Sequence, residues 1–451
     1  MADLTGLERN DVAVATSEDD DKSTPSVGRN AIETVGASAI SLVLSLPTTI
    51  ITSRYLHPAG RGAFYLGLVT VTIATTLFGS IGIAVTHEFK RGAAERQKIV
   101  AHGLVASLVL GIAAGAVLVP INLTLTPGFP AVALMPIALP AILVTGTLTS
   151  TLVALGRIRA RNLLQLAVPA TTLAGVVVLV ALLAKGVRGA VTAWLIAQVV
   201  VVIAGLATTV GVWRPLELRR MHLELARPIV LLGLRAGAVS VIGLLNYRIE
   251  LFVLNAYRGI DAVGVYSVSV SMAELLWIIP GAVATATIAL AISTSDQGAV
   301  QIIALGARTA ILATAAAGAA LAAVAPIGIP LLFGQRFDGA IVPLLILIPG
   351  VIAFSPGQLF AVYFSMRLGQ MRIPLGVALA SAALTGTLAV LIIPPLGLTG
   401  AALSTSIGYT ASMMFGAMLF SRRAGVSFRD LVPTGADVAA YRTQLRGLLQ
   451  R

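Results

Sequence analysis

Long apolar runs separated by short polar breaks recur from residue 32 to residue 420. About 20 apolar residues in helical form, rising 1.5 Å each, cross the hydrocarbon core of a bilayer. Twelve such spans are expected: 32–53, 63–86, 99–120, 131–154, 163–184, 190–213, 229–254, 263–290, 309–333, 341–365, 375–393 and 399–420. The polar lead-in to the ninth, Ser293 to Arg308, reads either as part of that span or as a segment lying in the interface. The runs are continuous, whereas a porin-like barrel would show alternating segments of about ten residues. The pattern therefore predicts an all-α polytopic membrane protein.

Composition sharpens this. Of 451 residues 57% are hydrophobic and only 11% charged, with mean hydropathy +0.94, whereas a soluble domain carries about 25% charged residues. A water-soluble globule is excluded. With no cysteine in the chain, a disulfide framework, a thiolate metal site and a cysteine nucleophile are excluded too. The net charge of +12 follows the loops between spans, as the positive-inside rule describes, and is not a patch for nucleic acid. With the N-terminus inside, 23 of the 31 Lys and Arg residues fall on the inner side and 6 on the outer. Both termini are thus expected in the cytoplasm and the chain in the cytoplasmic (inner) membrane.

The polar stretch 1–31 has no basic start followed at once by an apolar segment, so it reads as a disordered tail and not a secretory signal. Landmarks then occur twice in the same order. Gly62-Ala63-Phe64-Tyr65 answers to Gly264-Val265-Tyr266-Ser267, Leu155-Gly156-Arg157 to Leu368-Gly369-Gln370, and Gly186-Val187-Arg188-Gly189-Ala190 to Gly397-Leu398-Thr399-Gly400-Ala401. Two parallel six-helix lobes follow, 32–213 and 229–420, related by a pseudo-twofold axis along the membrane normal. A basic linker, 214–228, joins them. The tail 421–451 places Tyr441, Leu445, Leu448 and Leu449 on one side of a possible interfacial helix.

Few charges fall inside spans: Glu33 at the start of the first, Arg235, Arg248 and Glu250 in the seventh, and Glu274 in the eighth. Each needs a partner, a wet cavity or an escape to the interface. At 100° per residue Arg235, Asn246 and Glu250 share one face of the seventh helix, with Arg248 turned away. Arg235 and Arg248 either line a cavity or snorkel to the headgroups, and Glu274 is either a protonation or coupling-ion site or a structural carboxyl. Arg54, His57, Arg61 and Arg258 gather at the outer ends of spans, where they either meet a passing anion or are solvated loop charges. The second His of a zinc-protease helix is missing after His87-Glu88, and no phosphate-binding loop ending in Lys-Ser or Lys-Thr occurs.

Five strings resemble one family: SRYLHPAGRGAFYLGL from Ser53, LGRIRARN from Leu155, GVYSVSVSMAELLWIIPGAV from Gly264, LLFGQRFDGAIVPLLIL from Leu331 and PPLGLTGAALSTSIGY from Pro394. They look like a polysaccharide-exporting flippase, the Wzx-type oligosaccharide branch of the MOP superfamily. The resemblance runs from about Asn30 to Phe420 and rests on loose, small-residue motifs. It implies two lobes around a cavity that opens alternately to either face, moving a polyprenyl-diphosphate-linked glycan outward. In that frame Arg235, Arg248, Arg54 and Arg61 bind substrate, while Asn246, Glu250 and Glu274 line the cavity or couple H⁺ or Na⁺. No other cofactor is implied; glycosyltransferases and a glycan polymerase would act beside it. A MATE-type drug or metabolite antiporter, leaning on Glu274, is the rival. A membrane-embedded sugar polymerase or ligase is disfavoured by the short outer connections.

Overall fold

The computed structural model describes residues 27–90, 93–213, 223–292, 294–435 and 437. Every long element among them is a helix, and ten apolar stretches are long enough to cross a membrane. Two of these are double crossings. Val27–Phe78 is interrupted at His57 (φ 58°, ψ 176°) and Arg372–Ala424 at Gly397 (φ 56°, ψ −125°). A third break at Gly259 (φ 79°, ψ 177°) falls inside Ile249–Glu274 and separates the seventh crossing from the eighth. The result is twelve crossings: α1 (27–56), α2 (58–87), α3 (93–125), α4 (130–154), α5 (158–182), α6 (186–208), α7 (223–258), α8 (260–292), α9 (296–333), α10 (335–367), α11 (372–396) and α12 (398–424).

The ends differ from the expected spans for identifiable reasons. Helix α1 begins at Val27, inside the stretch read as tail, because hydropathy finds the apolar core of a helix and not its wet end. Helix α9 runs unbroken from Asp296, with the Ser295 side chain accepting the Gly298 N–H as a cap, so Asp296 to Arg308 is continuous with the helix of the ninth span and is not a separate segment, Ser293 lying outside the described residues. The C-terminal stretch containing Tyr441 to Leu449 and most of the linker, 214–222, lie outside the described residues.

All six turns on the face opposite the termini pivot on a residue with positive φ: His57, Gly128, Ala184 with Gly186, Gly259, Gly334 and Gly397. A helix that must reverse within two or three residues needs backbone conformations closed to most side chains, and glycine supplies them. Gly156 and Gly369 do the same for two turns on the terminal face. Four pairs, His57 with Gly259, Gly128 with Gly334, Gly186 with Gly397 and Gly156 with Gly369, recur 202, 206, 211 and 213 residues apart. The repeat is therefore built into the backbone as well as the letters.

His57 and Ala184 are the non-glycine members of this series, and such a conformation costs a non-glycine residue about 1–3 kcal/mol. Glycine would relieve that strain and return about 0.5–1 kcal/mol of it as added freedom of the unfolded chain. His57→Gly is thus expected to raise the thermal midpoint in detergent by about 1 °C or more. Gly259→Ala should lower it, and tryptophan fluorescence follows both.

Within the first lobe Phe64, Met135, Leu139 and Trp194 pack a core, and in the second Tyr266, Phe333, Phe337 and Leu344 pack another. Large apolar side chains such as Ile327 and Leu182, each more than 70% exposed, point outward to a lipid environment. The lobes meet through α2. Near the His57 turn, a Cβ on Gly62 would overlap the Ile260 carbonyl oxygen of α8, and one on Gly264 would overlap the Pro58 carbonyl oxygen. Toward the other face α2 is crossed by α7, where Gly237 faces the Leu77 carbonyl and Gly233 the Ile81 backbone.

Candidate functional site

The centre of the molecule is organised by a break in α7. Its first segment ends at Leu245 and the helix restarts at Ile249, with Arg248 in a conformation that is neither helical nor extended (φ −138°, ψ −9°) between them. The break is held from α11, where Ser381 and Thr385 donate to Asn246 Oδ1 at 2.9 and 3.3 Å. Arg248 is thereby turned inward. One of its nitrogens donates to the Tyr65 hydroxyl of α2 at 3.2 Å and another pairs with the Glu274 carboxylate of α8.

Arg61 of α2 enters from the other side and is 3% exposed. It donates to Ser267 Oγ of α8 at 3.2 Å and to Thr52 Oγ1 of α1 at 3.0 Å. Its guanidinium lies 5.4 Å from the Tyr65 ring centre, and that of Arg248 lies 6.0 Å from the same ring. Tyr65 therefore lies within cation–π reach of two guanidiniums. Arg248 has a carboxylate partner, whereas Arg61 has none within 4 Å among the described residues. A buried guanidinium held by hydroxyls and a ring face is short of countercharge.

Two chambers open from this centre and share Glu274. A cavity of about 240 Å³ in the second lobe is walled by Arg248, Glu250, Tyr266, Thr405 and Tyr409. A larger one of about 440 Å³ extends from Arg61 and Tyr65 between α1, α5 and α6. Glu250 is 1% exposed, and its Oε2 has no hydrogen-bond partner. Tyr247, Trp277, Phe354 and Tyr409 contact one another edge-on or tilted, with ring centres 5.1–6.2 Å apart. This aromatic wall separates the smaller chamber from a third cavity of about 420 Å³ lined also by Phe360, Phe364 and Met413.

The structure brings together Arg61, Arg248, Glu250 and Glu274, with Asn246 behind them, and leaves Arg235 and Arg54 out. Arg235 is exposed on the first segment of α7. The single-helix wheel that aligned it with Glu250 fails because the helix is not continuous through 246–248. Arg54 points its guanidinium at the Leu331 and Leu332 carbonyls, at the end of α9, and Arg258 does likewise to Pro394 and Pro395 at the end of α11. Both satisfy carbonyls that a helix C-terminus leaves unpaired, which separates them from the buried Arg61. Sequence reasoning missed Tyr65 and Tyr266 as site residues, although both stood in the repeated landmarks opening α2 and α8. Arg235→Ala is accordingly expected to retain at least half of wild-type transport at unchanged abundance, measured beside Arg248→Ala.

A bundle of twelve crossings in two repeated lobes around a buried, charged cavity defines the class: a membrane transporter fold. The family model described as polysaccharide biosynthesis protein matches residues 27–292, and the chain belongs to that family. Among solved structures it resembles the lipid II flippase MurJ in an inward closed conformation, with TM-score 0.76 at 12% identity over 89% of each chain. It also resembles an inward-facing multidrug resistance MATE family transporter of the MOP superfamily, with TM-score 0.71 at 19% identity over 88% of this chain and 98% of that one. A MOP superfamily transporter from Pyrococcus furiosus, described as having a binding pocket of reverse polarity, aligns with TM-score 0.61 at 16% identity over 88% of this chain and 96% of that one. No curated protein sequence matches the chain. The MOP fold expected from the sequence is thus the fold observed.

Proposed function

We propose that the protein is a flippase that carries a polyprenyl-diphosphate-linked oligosaccharide across the cytoplasmic membrane by alternating access, both termini lying in the cytoplasm. The observation that carries this reading is Arg61: buried, without a carboxylate partner among the described residues, and sharing the Tyr65 ring with Arg248 of the other lobe. A diphosphate supplies the missing negative charge, and guanidinium forks match phosphate oxygens two at a time. Its arrival would replace Ser267 as partner of Arg61 and Tyr65 as partner of Arg248. Those are the two polar links from each arginine to the opposite lobe, so binding and lobe separation are coupled. Membership of the polysaccharide biosynthesis family supports a glycan cargo, made and used by glycosyltransferases and a polymerase.

The test is inversion of a fluorescent polyprenyl-diphosphate disaccharide in proteoliposomes holding the purified full chain. Protein-dependent loss of the outer-leaflet label is expected; rates equal to those of empty vesicles would reject the reading. A second reading, an antiporter coupled to H⁺ or Na⁺, draws on the unpartnered Glu250 oxygen beside Glu274. It predicts that a cationic drug, and not a lipid diphosphate, protects the protein against thermal unfolding. Coupling of an ion to lipid flipping through Glu250 or Glu274 is compatible with the first reading, and Glu250→Gln would then remove the gradient dependence of inversion while binding persists.

A further inference from the structure

The larger chamber has a chemistry that the diphosphate does not use. Beyond Arg61 and Glu274 at one end, its polar wall is uncharged and includes Ser45, Thr48, Gln165, Thr172 and Ser271. Three of these residues hold a buried oxygen with no partner: Thr48 Oγ1, Gln165 Oε1 and Thr172 Oγ1. Gln165 spends its amide nitrogen on Ser38 Oγ at 3.2 Å, which leaves its carbonyl oxygen to face something else. They come from two helices, α1 and α5, and meet on one cavity that Trp194 of α6 closes with an aromatic side chain.

An unpaired buried polar atom costs about 1–3 kcal/mol, so three on residues that line one cavity call for an occupant toward which those side chains can turn to pair. A lipid tail would leave all three unpaired. A cationic drug would meet Arg61, while a bare phosphate needs cations that the chamber offers only at its Arg61 end. A neutral sugar ring provides hydroxyls that both donate and accept, and an apolar ring face to lie against Trp194. The chamber volume, about 440 Å³, is in the range of small-molecule sites, about 300–1,000 Å³.

We infer that this chamber is a saccharide subsite, in which Thr48, Gln165 and Thr172 hydrogen-bond, and Trp194 packs against, the neutral sugar adjoining a diphosphate held by Arg61. The inference rests on the flippase reading and assigns the selection of cargo to α1, α5 and α6. Sites built to pair with substrate hydroxyls reject ligands that lack them, because their own polar groups are then stranded.

The test uses the full chain in nanodiscs and measures dissociation constants for farnesyl diphosphate, bare or capped in turn with glucose, galactose or N-acetylglucosamine. At least one capped ligand is expected to bind about tenfold more tightly than the bare one. Thr172→Val and Gln165→Leu should each erase that margin and leave affinity for the bare diphosphate unchanged, whereas Thr172→Ser keeps the margin. If wild type binds the bare diphosphate in an Arg61-dependent way but gains nothing from any sugar, the subsite is overturned and the flippase reading stands. Equal weakening of bare and capped ligands by Thr172→Val and Gln165→Leu overturns it as well. If neither form binds, or if Arg61→Met leaves both affinities unchanged, the flippase reading falls and this inference with it.

Discussion

Arg61→Met is expected to abolish transport and yet leave the protein as stable as wild type or more so. Arg61 is 3% exposed and unpaired with any carboxylate among the described residues, and replacing a poorly compensated buried charge by an apolar side chain of similar length is commonly neutral or stabilising. Its two hydroxyl partners lose nothing essential: Ser267 Oγ still donates to the Gly264 carbonyl and Thr52 Oγ1 to the Thr48 carbonyl. A residue kept despite its cost to the fold is kept for binding. Arg248→Ala should behave differently, stopping transport and also destabilising the protein, because it strands Glu274, whose side chain is one-third exposed and therefore partly relieved by water. Proteoliposome inversion rates beside thermal midpoints check both. A clear drop in midpoint for Arg61→Met would make that residue structural.

The second large effect concerns a single methyl group. Gly264→Ala is expected to cut transport by about tenfold or more, since its Cβ would overlap the Pro58 carbonyl and the α2–α8 contact must part to admit it. Gly281→Ala, on the same helix with open space around the added carbon, should stay within twofold of wild type. The chain contains no cysteine, so a lone reporter needs no background removal. Ser267→Cys, buried at the α2–α8 seam, is expected to resist a membrane-impermeant maleimide and to become reactive when combined with Gly264→Ala. If it stays protected while transport is lost, the seam does not open.

Much of this architecture was legible in the letters. The hydropathy runs located every crossing, and glycines marked most turns because they take up those backbone angles without strain. The offset between landmarks announced the repeat that Gly186 and Gly397, or Gly156 and Gly369, later showed as matching geometry. Glu274, Arg248, Arg61, Glu250 and Asn246 were picked out because an apolar run makes a charge or an amide conspicuous, and the structure gathers them at one centre. Arg235 was misplaced because the three residues at which α7 unwinds carry no proline or glycine to announce it; the break is held by Ser381 and Thr385, about 135 residues away. Tyr65, Gln165 and Thr172 were silent for a related reason. A lone tyrosine, amide or hydroxyl in a span is ordinary until the opposite wall is known.

The way each arginine is shared between the lobes sets how firmly the cavity is shut. Arg248 keeps its carboxylate on its own side and reaches across only to a phenol, and Arg61 reaches across only to a serine. Parting the lobes at this centre therefore breaks two hydrogen bonds from charged donors to hydroxyls, about 1.5–3 kcal/mol each at most, and separates no ion pair among the described residues. Parting them at the outer ends would also break the Arg54 bonds to the Leu331 and Leu332 carbonyls and the Asn255 bond to the Leu125 carbonyl. A ligand that favours one state by about 5.5 kcal/mol swings a two-state equilibrium from one side almost wholly to the other. The polar latch at the centre is thus soft enough for cargo binding alone to release it, and once the cargo leaves, the same two hydroxyls can draw it shut.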